Sequence, residues 1–147
     1  MSLFDKTASL LIGQEYGRAR FSLAFILFFL IVAVGSIPGA RAEIGEVASG
    51  LALHSAAYAT LTYLLFSGMN GGVFRRAILS LLIIAVMGAI DEGVQSFLPY
   101  RGAALGDWLV DVTSSLLAGL LLCFAYPKAA QLAFGFRRRD LPIMGEE

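Results

Sequence analysis

The sequence is poor in charged residues and almost free of cysteine. Only 15% of its 147 residues are Asp, Glu, Lys or Arg, whereas a soluble domain carries about 25%. Too few polar side chains are therefore present to cover a surface that faces water. The single cysteine, Cys123, excludes an intramolecular disulfide. The 11 basic and 11 acidic residues cancel, and this balance argues against a nucleic-acid partner.

Recognised catalytic motifs are also absent. The chain contains no G-x-S-x-G, no phosphate-binding P-loop, no dinucleotide-binding fingerprint and no H-E-x-x-H. No metal-ligand motif of recognised spacing occurs either, so we predict neither a metal nor a cofactor. The sequence identifies no catalytic nucleophile, and it leaves open whether the protein is an enzyme.

Apolar residues, in contrast, make up 58% of the chain. About 20 apolar residues at 1.5 Å each span a hydrocarbon core about 30 Å thick. We predict an all-α, polytopic membrane protein, a four-transmembrane-helix bundle with both termini in the cytoplasm. The spans are placed at about 21–40, 47–66, 77–97 and 104–126, between a cytoplasmic N-terminal segment, 1–20, and a cytoplasmic tail, 127–147.

The first apolar run has a second interpretation. Arg18 and Arg20, the run itself and the sequence Ala40-Arg41-Ala42 resemble a signal peptide with its cleavage site. The run is longer than the apolar core of a usual signal peptide, and further apolar runs follow it. We therefore interpret it as a membrane span.

Basic residues are distributed unevenly along the chain. In a four-span topology, all of the 11 Lys and Arg residues except Arg41 and Arg101 lie on the side of the two termini. The positive-inside rule places that side in the cytoplasm. The loops after the first and third spans then face outward.

The third and fourth spans contain acidic residues. Their uncharged parts are too short to cross a bilayer. The third span must therefore include Asp91 and Glu92, and the fourth must include Asp107 and Asp111. Ionisable groups at bilayer depth are costly and usually functional.

Depth brings residues of three helices to one level. At 1.5 Å per residue, His54, Asp91 and Asp111 each lie about 10 Å below the outer edge of the bilayer. Residues spaced i, i+4 share a helix face, which adds partners to each of the three. We predict one outward-facing polar site with these candidate residues: His54, Tyr58, Asp91, Glu92, Gln95, Arg101, Asp107 and Asp111.

Several functions fit such a site. One alternative is a pocket that binds a lipid-linked molecule or a polar headgroup. Another is the active site of a transferase or hydrolase, in which carboxylates and His54 catalyse acid–base chemistry on lipid-linked phosphates. A third alternative is a structural polar network in which Arg101 and the acids join helices. Mg²⁺ or Ca²⁺ held by the acids is a further alternative, which no spacing motif supports.

The same residues resemble the VanZ-like family, whose founding member is associated with teicoplanin resistance. The matching pattern covers about residues 37–120 and consists of Pro38-Gly39, His54 with Tyr58, Asp91-Glu92 with Gln95, Pro99-Tyr100-Arg101, and Asp107 followed by Asp111, Ser114, Ser115 and Gly119. The resemblance implies a small multi-pass protein of the bacterial inner membrane that acts at the cell envelope. It also implies that the partner is a membrane lipid or a lipid-linked envelope molecule, and that glycopeptide resistance is a candidate role. A homo-oligomer is compatible with the resemblance.

Two positions depart from the family pattern. Gly50-Leu51 stand where members often carry an acidic residue and a lysine, and Asp111 stands where asparagine is common. The first difference removes a cation from the site and the second adds an anion, so Arg101 is its only predicted cation. Both differences disfavour an anionic ligand and favour a cation or a proton.

Overall fold

The computed structural model describes residues 3–39, 49–100 and 102–139. Its helices are α1 (Leu3–Ile12), α2 (Gly17–Gly35), α3 (Gly50–Gly68), α4 (Val73–Ser96) and α5 (Leu105–Arg139), with a 3₁₀ turn at Gln14–Tyr16. No strand occurs within these ranges, and the all-α prediction is confirmed. Arg101 of the predicted site and the signal-peptide cleavage site proposed at 40–42 lie outside the described residues.

Three segments are long and apolar enough to cross a membrane, namely Gln14–Gly35, Val73–Ser96 and Leu105–Phe134. The protein therefore has the character of a multi-pass membrane protein. The second predicted span also forms a helix, α3, but its Gly, Ser, Thr, Tyr and His residues make it less apolar, and it is not among the three. The four-span count and the cytoplasmic termini stay predictions.

The candidate spans direct most of their apolar surface outward. Only 22%, 28% and 17% of their most apolar windows are buried, in chain order. Phe29 of α2, Leu82 of α4 and Phe124 of α5 are each more than half exposed. A monomeric soluble protein rarely exposes such large apolar patches, whereas lipid tails are as apolar as these side chains.

Helix α3 lies at the centre of the bundle, in contact with α2, α4 and α5. Its Tyr58, Leu61 and Leu65 are fully buried against apolar side chains of α2 and α4. Small residues let the helices approach closely. A Cβ on Gly68 would lie 2.7 Å from the backbone nitrogen of Phe21 in α2. The small residues of α3 therefore serve helix contact.

Local sequence sets several helix ends. The Ser49 hydroxyl accepts a hydrogen bond from the backbone N–H of Ala52 and caps the start of α3. Between α3 and α4, Gly71 has a φ of 110°, a conformation that glycine adopts without steric cost. The reversal places α4 beside α3.

Helix α5 extends beyond the predicted fourth span. That span ends at Tyr126, whereas the helix continues through Pro127 to Arg139. Proline removes one intrahelical N–H donor, yet the helix does not end there. The predicted N-terminal segment is also helical, because α1 begins at Leu3 and α2 begins at Gly17 rather than at Phe21.

The carboxyl end of α1 is held by side chains from the other helices. The last carbonyls of a helix have no intrahelical donor. Here they accept hydrogen bonds from side chains: Leu10 and Gly13 from Arg20 at 2.8 Å each, Leu11 from Tyr63 at 2.7 Å, and Ile12 from Tyr126 at 3.0 Å.

Two arginines are buried at this end of the bundle. Arg20 also donates to the hydroxyl of Ser67 at 3.0 Å and to its carbonyl at 2.8 Å. Arg76 donates from Nε to the Phe66 carbonyl at 2.6 Å, and its guanidinium lies 4.2 Å and 4.5 Å from the ring centroids of Phe66 and Tyr126. Arg20 and Arg76 are only 5% and 4% exposed, whereas the sequence predicts solvent-exposed charges at the ends of membrane spans.

We call this group the basic cluster. It consists of Arg20, Tyr63, Ser67, Arg76 and Tyr126.

Candidate functional site

The polar residues of α3 and α5 meet at His54. Its Nδ1 is hydrogen-bonded to Oδ1 of Asp111 at 2.8 Å, and its Nε2 lies 3.9 Å from Oδ2 of Asp107. Asp107 and Asp111 are one turn apart on α5 and present both carboxylates to one imidazole. The side chain of Asp111 is fully buried.

A second contact joins α3 to α4. The hydroxyl of Tyr58 donates to Oδ2 of Asp91 at 3.3 Å, and both residues are buried. The rings of His54 and Tyr58 stack in parallel, with their centroids 6.1 Å apart. The two residues are one turn apart on α3, so this helix carries the groups that meet the acids of both neighbours.

Close approach of α4 and α5 depends on Gly88. A Cβ at this position would lie 3.1 Å from both Oδ2 of Asp111 and Cδ1 of Trp108. The indole N–H of Trp108 donates to the Ala85 carbonyl of α4 at 2.9 Å. The glycine and the tryptophan together bring Asp111 within reach of the α3 face.

Glu92 has a structural partner. Its Oε2 accepts from the backbone N–H of Ala104, directly before α5 begins. The carboxylate therefore holds the start of α5 against α4, where a negative charge also interacts favourably with the helix dipole. Sequence reasoning includes Glu92 in the site but places it about 100° round the helix from Asp91, toward a different neighbour or the outer interface. The structure gives it a different neighbour, the start of α5.

Five buried side-chain atoms have no hydrogen-bond partner among the described residues. Two lie outside the predicted site, namely Nη2 of Arg76 and Oγ of Ser80. The other three are acceptors within the site: Oε1 of Glu92, Oε1 of Gln95 and Oδ2 of Asp111. An unsatisfied buried polar group costs about 1–3 kcal/mol.

A cavity of about 340 Å³ opens beside these residues. Its polar end is formed by His54, Tyr58, Asp91 and Gln95. Its apolar wall consists of residues from α2 and α3: Leu30, Ile31, Val34, Gly35, Gly50, Leu53 and Ala57. Sequence reasoning missed the contribution of α2, because an uncharged apolar helix carries no chemical signal of a site.

Below the cavity the bundle is closed by a hydroxyl pair. The hydroxyls of Thr62 and Ser115 are hydrogen-bonded to each other at 2.9 Å, and both side chains are buried. The Thr62 hydroxyl itself donates to the Tyr58 carbonyl at 2.7 Å. Thr62 follows Tyr58 by one turn, and Ser115 follows Asp111 by one turn. One turn beyond Tyr58 on α3 and Asp111 on α5, the two helices therefore meet through a pair of small hydroxyl groups.

The structure thus brings together most of the predicted site residues. His54, Tyr58, Asp91, Gln95, Asp107 and Asp111 lie around one place, Glu92 borders it, and Arg101 lies outside the described residues. No group of three His, Cys, Asp or Glu side chains within the described ranges has the geometry to hold a metal ion. This cluster of His54, Tyr58, Asp91, Gln95 and Asp111 is called the acidic cluster below.

Comparisons with protein families, curated protein sequences and solved structures find no match for the chain. The class of the protein is therefore described from its fold and its site alone. This is a helical protein with three candidate membrane spans and a cavity that has apolar walls and an acidic end.

Proposed function

We propose that the protein is a VanZ-like membrane protein of the bacterial envelope that binds an amphipathic, lipid-linked or lipid-like ligand. The observation that carries the proposal is the cavity, in which apolar side chains of α2 face a polar end formed by α3 and α4. Its volume falls within the range of about 300–1,000 Å³ typical of ligand pockets. The apolar tail of such a ligand would contact the apolar wall of the cavity, and its polar head would contact the polar end.

Access from the bilayer supports a lipid-like ligand. Leu30 and Val34 line the cavity, yet they are 56% and 36% exposed on the outer face of α2. The same residues therefore border both the cavity and the surface expected to contact lipid tails. A molecule dissolved in the membrane reaches the site sideways, without crossing water.

A filling substitution tests the cavity. Ala57 lines it, whereas the neighbouring Ala56 is exposed on the same helix. We expect lipids that co-purify with the wild-type protein, identified by native mass spectrometry, to be lost from Ala57→Phe and retained by Ala56→Phe. Equal lipid retention in both variants would contradict binding in the cavity.

The outward orientation is part of the proposal and has its own test. Asn70 and Phe97 flank the two ends of α4, and both are exposed. In a Cys123→Ser background, an impermeant thiol reagent applied to whole cells should label Phe97→Cys and spare Asn70→Cys. The opposite pattern would place the acidic cluster toward the cytoplasm.

Glycopeptide resistance is the proposed biological role. We expect expression in a susceptible host to raise the inhibitory concentration of teicoplanin, and Asp91→Asn to remove that increase at equal protein level. Resistance that persists in this variant would separate the acidic cluster from the phenotype.

A second candidate function is acid–base catalysis on a lipid-linked substrate. One observation favours it, namely that the Asp111 carboxylate binds Nδ1 of His54 and orients the ring that lines the cavity. Such a carboxylate–imidazole pair is the usual way to position a general base. Turnover of lipid-linked phosphates that His54→Gln abolishes would establish an enzyme, and unchanged turnover in that variant would exclude this role for His54.

A further inference from the structure

The polar end of the cavity offers an acceptor to a ligand. The hydroxyl of Tyr58 and Nδ1 of His54 are already engaged there, with Asp91 and Asp111 respectively. One unpartnered buried acceptor belongs to a residue that lines the cavity, namely Oε1 of Gln95, which is only 3% exposed. A ligand that brings an N–H or O–H donor satisfies it.

The charge at this end points the same way. The carboxylate of Asp111 is hydrogen-bonded to the imidazole of His54, and that of Asp91 accepts from the hydroxyl of Tyr58. The two buried arginines of the described chain are committed elsewhere, to carbonyl groups of the basic cluster. From His54 to Ser67 the distance along α3 is about 20 Å. A phosphate or carboxylate head would meet negative charge, whereas a cation is attracted.

A primary ammonium combines both properties. It carries a positive charge and three N–H donors. Asp91 and Gln95 are one turn apart on α4 and both line the cavity, so one ammonium can lie between a carboxylate and the unpartnered amide oxygen. Hydrogen bonds to charged groups stabilise by about 1.5–3 kcal/mol.

We propose that the cavity selects an amphipathic molecule with a primary amine head, the amine bound at Asp91 and Gln95 and the hydrocarbon chain along Leu30 and Val34. This inference rests on the proposed function, since it names the ligand class of the same cavity. The amine belongs either to a membrane phospholipid headgroup or to a long-chain amine.

The test uses the full chain in phosphatidylcholine vesicles, which add neither a primary amine nor a tryptophan. The probes are decylamine, decanol, and decyltrimethylammonium, which has the charge but no N–H. The only tryptophan, Trp108, lies beside Asp111, and its fluorescence reports binding. We expect decylamine to bind at least about tenfold more tightly than either other probe, which corresponds to about 1.4 kcal/mol.

Variants locate the binding. Asp91→Asn and Gln95→Leu should each reduce decylamine affinity about tenfold or more, and Ala57→Phe should abolish binding. Gly93→Ala is the control on the same helix, because a Cβ there meets no atom within 4 Å; its affinity should equal that of the wild type. Gln95→Leu keeps every hydrogen bond that Asp91 makes, so it tests the amine site even if Asp91→Asn fails to fold.

The outcomes separate the two proposals. If decanol or decyltrimethylammonium binds as tightly as decylamine and Ala57→Phe abolishes that binding, the amine inference is overturned and the cavity stands. If no probe binding depends on Ala57, both are overturned. Competition by added phosphatidylethanolamine supports the inference and identifies a phospholipid head, whereas decylamine selectivity without such competition supports it with a long-chain amine.

Discussion

The two ends of α3 treat buried polar groups in opposite ways. In the basic cluster, Arg20 makes four hydrogen bonds to carbonyl and hydroxyl oxygens. In the acidic cluster, buried oxygens of Gln95 and Asp111 have no partner among the described residues. In the first cluster Arg20 is fully engaged, and Nη2 of Arg76, which lies against two aromatic rings, is the one buried side-chain atom without a partner among the described residues. The second cluster has open acceptors beside a cavity and so has capacity for another molecule.

This difference separates a structural role from a binding role. Donors of Arg20, Tyr63 and Tyr126 match carbonyls that a helix end always exposes, so the basic cluster fastens α1 to the bundle. The acidic cluster has a cavity beside it and buried acceptors without a partner among the described residues. Polar groups that a fold keeps unsatisfied are expected where function requires them.

The largest expected effect is on the basic cluster. Arg20→Leu leaves the carbonyls of Leu10, Gly13 and Ser67 without their side-chain donor, and we expect the free energy of unfolding to fall by about 3 kcal/mol or more. Thermal unfolding in detergent, followed by circular dichroism, measures it. The exposed Arg18→Leu is the matched control. An equal loss in both variants would remove the structural role of the cluster.

A smaller effect is expected where α4 meets α5. Gly88→Ala places a methyl group 3.1 Å from side-chain atoms of Asp111 and Trp108. These side chains must then shift by a few tenths of an ångström, and we expect a cost of about 1–3 kcal/mol. The emission of Trp108 should shift with the melting temperature. On the same helix, Gly93→Ala meets no atom within 4 Å and should be neutral or stabilising by up to about 1 kcal/mol. Similar behaviour of the two variants would contradict the close approach.

A single hydroxyl of the basic cluster should matter modestly. Tyr126→Phe removes the donor to the Ile12 carbonyl and keeps the ring beside Arg76. We expect a loss of about 1 kcal/mol, measured in the same unfolding experiment. Hydrogen exchange at α1 should accelerate, because the carboxyl end of that helix loses one of its attachments. Unchanged exchange at α1 would argue against fastening by this bond.

The smallest effect on stability is expected in the acidic cluster. Gln95→Leu replaces a buried amide whose oxygen has no partner by an apolar side chain. The free energy of unfolding should stay the same or rise by up to about 1 kcal/mol, while decylamine affinity falls. A clear loss of stability would instead show that the acidic cluster has a structural role, as the basic cluster does.

Much of the acidic cluster could be predicted from residue spacing. Positions four apart share a helix face, and helix rise places His54, Asp91 and Asp111 at one depth. The partners could not be predicted in this way, because helix rotation about the bundle axis decides them. His54 pairs with Asp111, whereas Asp91 receives the hydroxyl of Tyr58.

The basic cluster shows the opposite case. Charge counting treats Arg20 and Arg76 only as residues at the cytoplasmic edge of the predicted spans. Their burial arises because long apolar stems reach past the surface and the guanidinium finds backbone carbonyls at the end of α1 and α3. These hydrogen bonds could not be predicted from a local sequence pattern, because the carbonyl groups belong to segments distant in the sequence.

The sequence by itself determined the helical class, the segments that are long and apolar enough to cross a membrane, and the position of the acidic groups within them. Those properties follow from composition and hydrophobic length, which are local. Only the tertiary structure decided that α2 forms a cavity wall, that Glu92 faces the start of α5 and that the basic cluster fastens α1. These depend on which faces of neighbouring helices meet, and small residues such as Gly68 and Gly88 set that through the distances at which the helices pack.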